Sequence, residues 1–283
     1  MVRARADLHT HSVLSDGTDT PTELVQLADK LGLGGLALSD HDTIAGLQEF
    51  MTAEASPELL RVPGLELSTD FDSQEVHILG YFIPMRSAKL QARLEDLQQR
   101  RHKKFSMIVE KLQELGIELE QSEIDAILEN VESPGRPHLA HLLTQKGIVR
   151  TIDDAFDLYL GEGKPAYVTK ERMHAFDAIN LILSVGAVPV LAHPLTVEVP
   201  DMREFIRKLA DAGLRGVEVE YDYGTMGITE GPASVRSAIH GLDLIETGGS
   251  DYHGESWMGN LGSVTVPIEV IGRLKVEARE SNT

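Results

Sequence analysis

No cysteine occurs anywhere in the chain, which excludes disulfides, thiolate nucleophiles and cysteine-type zinc sites. Any metal ion must be held by His, Asp and Glu, a donor set that suits hard or borderline cations. No apolar run approaches the ~20 residues needed to cross a bilayer, and the opening MVRARADLHTHS enters its first strand without a signal-peptide core. The expected setting is cytoplasmic, with no membrane partner. Positive charge is scarce as well: 26 Lys and Arg stand against 45 Asp and Glu, a formal net charge of −19. That balance argues against wrapping duplex DNA, which needs basic surface to displace counterions. A small anionic substrate is still allowed, because divalent cations sunk in one pocket reverse the field there.

What is present is a barrel pattern. With 42% hydrophobic residues in 283, the chain can fill one α/β barrel carrying an insertion, or two ordinary domains. Short runs rich in Val, Ile and Leu at 3–8, 36–39, 61–67, 76–83, 187–192, 216–221 and 242–247 read as seven buried parallel strands. Helices are expected at 43–54, 175–184, 201–212, 233–240 and 268–278, and the clearest start is Thr20-Pro21-Thr22-Glu23, a capping box with proline at the first helical position. From residue 90 to 170 the pattern is helix after helix. The expected organisation is therefore a barrel in two parts, 1–92 and 171–283, with a helical insert at 93–170 lying over the active site. The insert carries the densest basic cluster, Arg100-Arg101-His102-Lys103-Lys104, then Gly135-Arg136-Pro137-His138 at a helix start, and a return loop containing Lys164.

Ligand-type side chains fall where strands end. Asp7, His9 and His11 close the first strand, Asp40 and His41 the second, and Glu66 the third; His77 lies on the fourth, His193 closes the fifth, and Asp251 and His253 follow the seventh. Since the C-terminal strand ends of a parallel barrel share one face, these residues converge there. Two imidazoles two residues apart on extended chain, as in Asp7-Leu8-His9-Thr10-His11, point to the same side and grip one cation. A lone pair of that kind is as readily a chance feature of a solvated strand. Six of the 11 histidines at strand ends, however, form a pattern that structural histidines have no reason to adopt.

The other histidines sit in or beside helices. His174 and His240 read as surface residues and His141 as packing, while His102 belongs to the basic run at 100–104. His138 with Arg136 forms an Arg-x-His pair near a helix start, which suits an anion. Arg101, Lys104 and Lys164 are the further candidates for contact with substrate phosphate, against the plainer reading of a solvated basic face.

In order along the chain, DLHTHSVLSDG, LSDHD, GLELS, VHILGY, LAHP and GSDYH resemble the signature segments of the polymerase and histidinol phosphatase (PHP) superfamily of metal-dependent phosphoesterases. The insert segments GRPHLAHLL and GKPAYV resemble the subgroup found beside tryptophan-operon genes, which includes 3′,5′-nucleotide bisphosphate phosphatases and 5′-to-3′ exonucleases on short RNA. The resemblance implies a distorted (β/α)₇ barrel with two or three divalent ions, manganese first and zinc or iron as alternatives. It places His9, His11, Glu66 and Asp251 on one ion, Glu66, His77 and His193 on a second, and Asp16, His41 and His253 on a third. Many relatives have a histidine where Asp16 stands, and a carboxylate there favours a harder third ion.

The activity this implies is hydrolysis of a nucleotide phosphate ester by a metal-activated hydroxide, with Glu66, His193, Asp16 and His253 nearest the chemistry and Arg136 and His138 stabilising charge on phosphorus. The substrate would be the 3′-phosphate of a 3′,5′-bisphosphonucleotide, leaving an AMP-like product, or a short RNA. The chain would act as a monomer or weak homo-oligomer. Three rival readings are a histidinol-phosphate phosphatase, which differs in substrate alone; an amidohydrolase, which usually adds an eighth strand and often a bridging lysine at strand four; and a regulatory PHP domain without catalysis.

Overall fold

Residues 3–169, 172–254 and 259–280 are described by the computed structural model. Strands β1 (Arg5–Asp7), β2 (Gly35–Leu38) and β3 (Leu60–Phe71) pair in parallel, with α1 (Pro21–Leu31) and α2 (Leu47–Thr52) as the returns between them. At the start of α1 the Thr20 hydroxyl accepts the Glu23 N–H at 3.2 Å and the Glu23 carboxylate accepts the Thr20 N–H at 2.8 Å, so two otherwise orphaned donors are satisfied. The helix stops at Gly32, whose φ of 75° is open to glycine without strain.

The all-parallel, seven-stranded barrel expected from the sequence needs correction: a short strand, Val266–Pro267, pairs antiparallel with β1, and the larger change is at the fourth strand. β3 runs on past residue 67 to Phe71, and after Asp72 and Ser73 alone the chain doubles back as β4 (Gln74–Tyr81). Both turn residues have positive φ, 49° and 69°, the backbone of a tight hairpin. Two residues cannot hold the crossover that a parallel partner requires. β4 is therefore antiparallel to β3, pairing Glu66 with Leu79 and Ser68 with His77. The polar stretch around the turn hid this continuation, because Ser68, Asp70 and Ser73 interrupt the apolar run.

The sheet is completed by β5 (Met173–His174), β6 (Val188–Leu191), β7 (Gly216–Glu220), β8 (Ile245–Gly248) and β9 (Val266–Pro267), in the order β8-β7-β6-β4-β3-β2-β1-β9 with β5 beside β3. β4 is also antiparallel to β6, while β6, β7 and β8 are mutually parallel. β8 returns towards β1: the Leu8 N–H donates to the Gly248 carbonyl at 3.2 Å and Thr10 pairs with Tyr252, which curls the seven longer strands into a nearly closed barrel. Side chains alternate across this wall. Ala6, Ala37, Val62, Leu79 and Val190 share one inner cluster, whereas Leu36, Leu38, Leu65, Leu67, Val217 and Val219 belong to the cluster formed with the surrounding helices.

Helix α3 (Ala88–Glu114) belongs to two cores. Leu90, Leu94 and Leu97 pack with the barrel cluster, and Phe105, Ile108 and Leu112 pack in a separate helical cluster. That second core is shared with α4 (Gln121–Asn130), α5 (Arg136–Gln145), α6 (Ile152–Ala155) and the π-helical turn Phe156–Leu160. The expected return to the barrel at 170–171 lies outside the described residues. Helices α7 (Ala175–Ser184), α8 (Met202–Asp211), α9 (Pro232–Ile239) and α10 (Glu269–Glu280) complete the fold. Among the described residues no helix is long and apolar enough to cross a membrane.

Candidate metal centre

The barrel delivers its polar side chains to one end. His9 and His11 follow β1 with ring centroids 5.1 Å apart. His41 follows β2 and pairs through its backbone with Glu66 on β3. His77 sits early in β4, and because that strand runs in reverse its early half is the end nearest the site. His193, Asp251 and His253 lie just beyond β6 and β8. His193 and Asp251 have φ of 24° and 52°, conformations unusual for side-chain-bearing residues that cost about 1–3 kcal/mol each and persist only where the surroundings demand them.

Glu66 is the centre of the cluster, with its carboxylate shared between two sides. Oε2 lies 3.3 Å from both His9 Nε2 and His11 Nε2, and Asp251 Oδ1 faces the same two nitrogens at 3.3 and 3.1 Å. Oε1 lies 3.0 Å from His77 Nδ1 and 3.1 Å from His193 Nε2. Asp16 gathers a further set, 3.3 Å from His253 Nε2, 3.7 Å from His41 Nε2 and 3.8 Å from His11 Nδ1. Three overlapping groups result, each with ligand atoms within 4.8 Å of one another: His9, His11, Glu66 and Asp251; His41, Glu66 and His77; and His11, Asp16, His41 and His253.

These residues fit divalent cations. His9 Nε2, both nitrogens of His11, His41 Nδ1, His77 Nε2 and Asp16 Oδ1 are buried and make no well-aligned hydrogen bond, facing one another as ligand atoms around a shared centre would. Each such atom costs about 1–3 kcal/mol unless something satisfies it. Electrostatics agree. Burial opposes the charge on Glu66, yet His41, His9 and His77 hold its carboxyl well below the usual range, and the imidazoles around them do the same for Asp16 and Asp251. Burial works against protonation of His11, but Asp251 and Glu66 hold it up at about 10; His77, facing Glu66 and Glu75, stands at about 9. The anionic cluster thus demands positive charge, which protons supply when cations do not.

Behind the ligand atoms lies a layer that the sequence reading missed. Val217 and Val219 face the outer core, so Glu218 between them on β7 points into the barrel. His9 Nδ1 stands 3.0 Å from its Oε1, and the His193 N–H donates to its Oε2 at 2.9 Å. Tyr221 O–H donates to Asp251 Oδ2 at 2.8 Å. The Glu-Val-Glu-Tyr run shows the alternation of a strand but not which of its faces turns inward. Asp7 and Asp40, in contrast, turn away from the cluster: Asp7 accepts from Ser250 and the Gly262 N–H, and Asp40 from Ser12 and Ser15. Burial dominates at Asp7 and pushes its carboxyl up to about 6.

A cavity of about 390 Å³ opens over the ligands, lined also by Arg101 and Lys104 of α3, Arg136 of α5 and Phe156 of the π-helical turn. Arg101 is fastened to the barrel, donating to Asp42 and to Ser68 Oγ at 2.6 Å each. Lys104 lies 5.8 Å from the centroid of the Tyr167 ring. Arg136 lies 5.7 Å from the rings of Phe156 and Tyr167 and 3.4 Å from Glu75, which also pairs with Arg172 at 2.5 Å. Glu75 and Arg172 were not singled out in the sequence, since neither stands in a motif of its own.

His138 is not on the cavity wall with Arg136. Residues two apart on a helix point about 200° away from each other. His138 lines a separate cleft with Asp16 and Thr18, and its Nδ1 accepts the Gly135 N–H at 3.1 Å. Burial holds it below the ordinary imidazole value. Lys164 is exposed on its loop and is not among the residues lining the cavity.

The geometry is matched by known proteins. A PHP domain family model matches residues 7–145. A 5′-3′ exoribonuclease of Haemophilus influenzae is 36% identical over 72% of this chain and 73% of its own length. A 3′,5′-nucleoside bisphosphate phosphatase of Chromobacterium violaceum is 31% identical over 88% and 87%. Two solved structures superpose on 96% of both chains: a protein of Bifidobacterium adolescentis described as a metal-dependent phosphoesterase, with TM-score 0.86 and 27% identity, and a Chromobacterium violaceum protein described as an amidohydrolase, with TM-score 0.83 and 28% identity.

Proposed function

The chain belongs to the PHP domain family, and from that premise we propose that it is a metal-dependent hydrolase of nucleotide phosphate esters, removing the 3′-phosphate of 3′,5′-bisphosphonucleotides or trimming short RNA from its 5′ end. The observation that carries this reading is the shared carboxylate of Glu66, one oxygen towards His9 and His11 and the other towards His77 and His193. His9, His11, Glu66 and Asp251 would hold one divalent ion, Glu66, His77 and His193 a second, and Asp16, His41 and His253 a third, with manganese expected ahead of zinc or iron. When bound, such ions acidify water towards neutral pH and polarise a phosphoryl oxygen.

The rest is done by the chain's own residues. The strand ends fix the imidazoles and carboxylates about one point, so little reorganisation is left for the moment of reaction. Of the cavity's cationic groups, Arg101 is engaged by Asp42 and Ser68, which leaves Arg136, loosely paired at 3.4 Å with Glu75, and Lys104 to meet a second phosphate on the substrate. A cavity of about 390 Å³ is of the size that encloses a mononucleotide. A longer chain would have to leave through the mouth.

The test is a phosphate-release panel with 3′,5′-bisphosphonucleotides, 5′-phosphorylated oligoribonucleotides and histidinol phosphate, each with Mn²⁺ and with Zn²⁺. Turnover of the first two well above the third supports the reading. Preference for histidinol phosphate, or hydrolysis of amides and lactones with no phosphate released, overturns it.

A further inference from the structure

We propose that Glu218 is the positioning residue that locks the two halves of the metal centre together, holding a ligand of each of two ions with a single carboxylate. It rests on the ion assignment above. Glu218 is wholly buried inside the barrel, on a strand that supplies none of the assigned ligands. A carboxylate in that place is costly unless its oxygens are used, and both are. Oε1 takes the Nδ1 proton of His9 at 3.0 Å, and Oε2 takes the backbone N–H of His193 at 2.9 Å.

Each contact has a chemical consequence. With Nδ1 protonated towards Glu218, His9 can present only Nε2 as a lone pair, and Nε2 is the atom that faces Glu66 and Asp251. The negative charge behind the ring also makes that nitrogen a stronger donor. At His193 the fastened group is the backbone, where φ is 24°; the hydrogen bond holds the turn that aims the imidazole at Glu66. His9 follows β1 and His193 follows β6, on different sides of the barrel. One side chain therefore sets the relative placement of two ligands that sequence separates by most of the chain.

The pairing sets up a discriminating substitution. Glu218→Gln keeps an oxygen that in the place of Oε2, 3.2 Å from His9 Nδ1 and 2.9 Å from the His193 N–H, can still accept, but it removes the negative charge and puts a donating nitrogen where Oε1 faced His9. Chelator-stripped wild type, Glu218→Gln and Glu218→Ala should be compared for Mn²⁺ and Zn²⁺ bound per chain after dialysis, for affinity by competition with a chelating dye, and for thermal midpoint without metal. Both variants are expected to lose roughly 10–100-fold in affinity for at least one ion, the usual consequence of removing the partner behind a ligating histidine. The loss should exceed that of a distant variant of equal thermal midpoint. Wild-type stoichiometry and affinity in folded Glu218→Gln would overturn the proposal, as would losses that merely track the thermal midpoint. Should wild type itself bind less than one ion, the ion assignment is what fails.

Discussion

Replacing Arg101 by methionine would remove the cation that neutralises a fully buried carboxylate. Arg101 Nε stands 2.6 Å from Asp42 Oδ2, with side-chain exposures of 12% and 0%, so the pair is shielded from water. Breaking one side of such a pair costs about 3–5 kcal/mol, because a buried charge loses the cation opposite it. Asp42 Oδ1 still accepts the Ser68 N–H at 3.0 Å, which places the expectation at the lower end, about 3 kcal/mol. For a chain of this size that is a fall of roughly 6–12 °C in Tm. Thermal and urea unfolding of Arg101→Met, Asp42→Asn and the double variant would measure it. The double variant should regain all but about 1 kcal/mol, since its amide carries no charge to strand. A single-variant loss below about 1 kcal/mol would refute the reasoning, showing that Asp42 is neutralised some other way.

Glu66→Ala is expected to abolish phosphate release and tight ion content together, and metal analysis showing two ions retained would remove Glu66 from the bridging role. Arg136→Ala should lower kcat/KM for a 3′,5′-bisphosphonucleotide at least tenfold more than for p-nitrophenyl phosphate, the difference a charge-assisted contact makes, whereas His138→Ala should cost stability without that split. Equal losses on both substrates would sink the second-phosphate role of Arg136. With metal absent, His11 titrates at about 10 and His77 at about 9, so uptake of ions at pH 7 must expel their protons. Affinity should rise with pH by about tenfold per unit for each proton displaced. These raised values also mean that the two groups' contribution to the stability of metal-free protein is complete below pH 6.5 and is lost as pH climbs through 9–10. A pH-stat recording no proton release on Mn²⁺ addition at pH 7 would contradict this.

The sequence displays ligands better than it displays what supports them. His9, His11 and His41 stand beside short apolar runs, so spacing and strand periodicity alone bring them to the barrel end where they meet Glu66. Glu218 gives no such sign, because a carboxylate between two valines looks the same whether it faces water or a barrel interior; only closure of the sheet decides. The reversal of β4 is faint in the sequence for a related reason. Asp72 and Ser73 make a tight turn through their backbone angles, and an Asp-Ser pair is a weak signal next to Asn-Gly. Arg136 and His138 look like one anion-binding pair in a linear reading, and helical geometry separates them.

The β3–β4 hairpin has a mechanical consequence. Glu66 and His77 project from two strands zipped by a continuous ladder running from Gly64 opposite Tyr81 to Phe71 opposite Gln74. The gap between the Glu66 carboxylate and the His77 imidazole, 3.0 Å, is therefore gauged by the pitch of a sheet and not by the slack of a loop. Helices α4 to α6, which pack in the second core, can therefore vary what lines the cavity while the hairpin keeps that spacing.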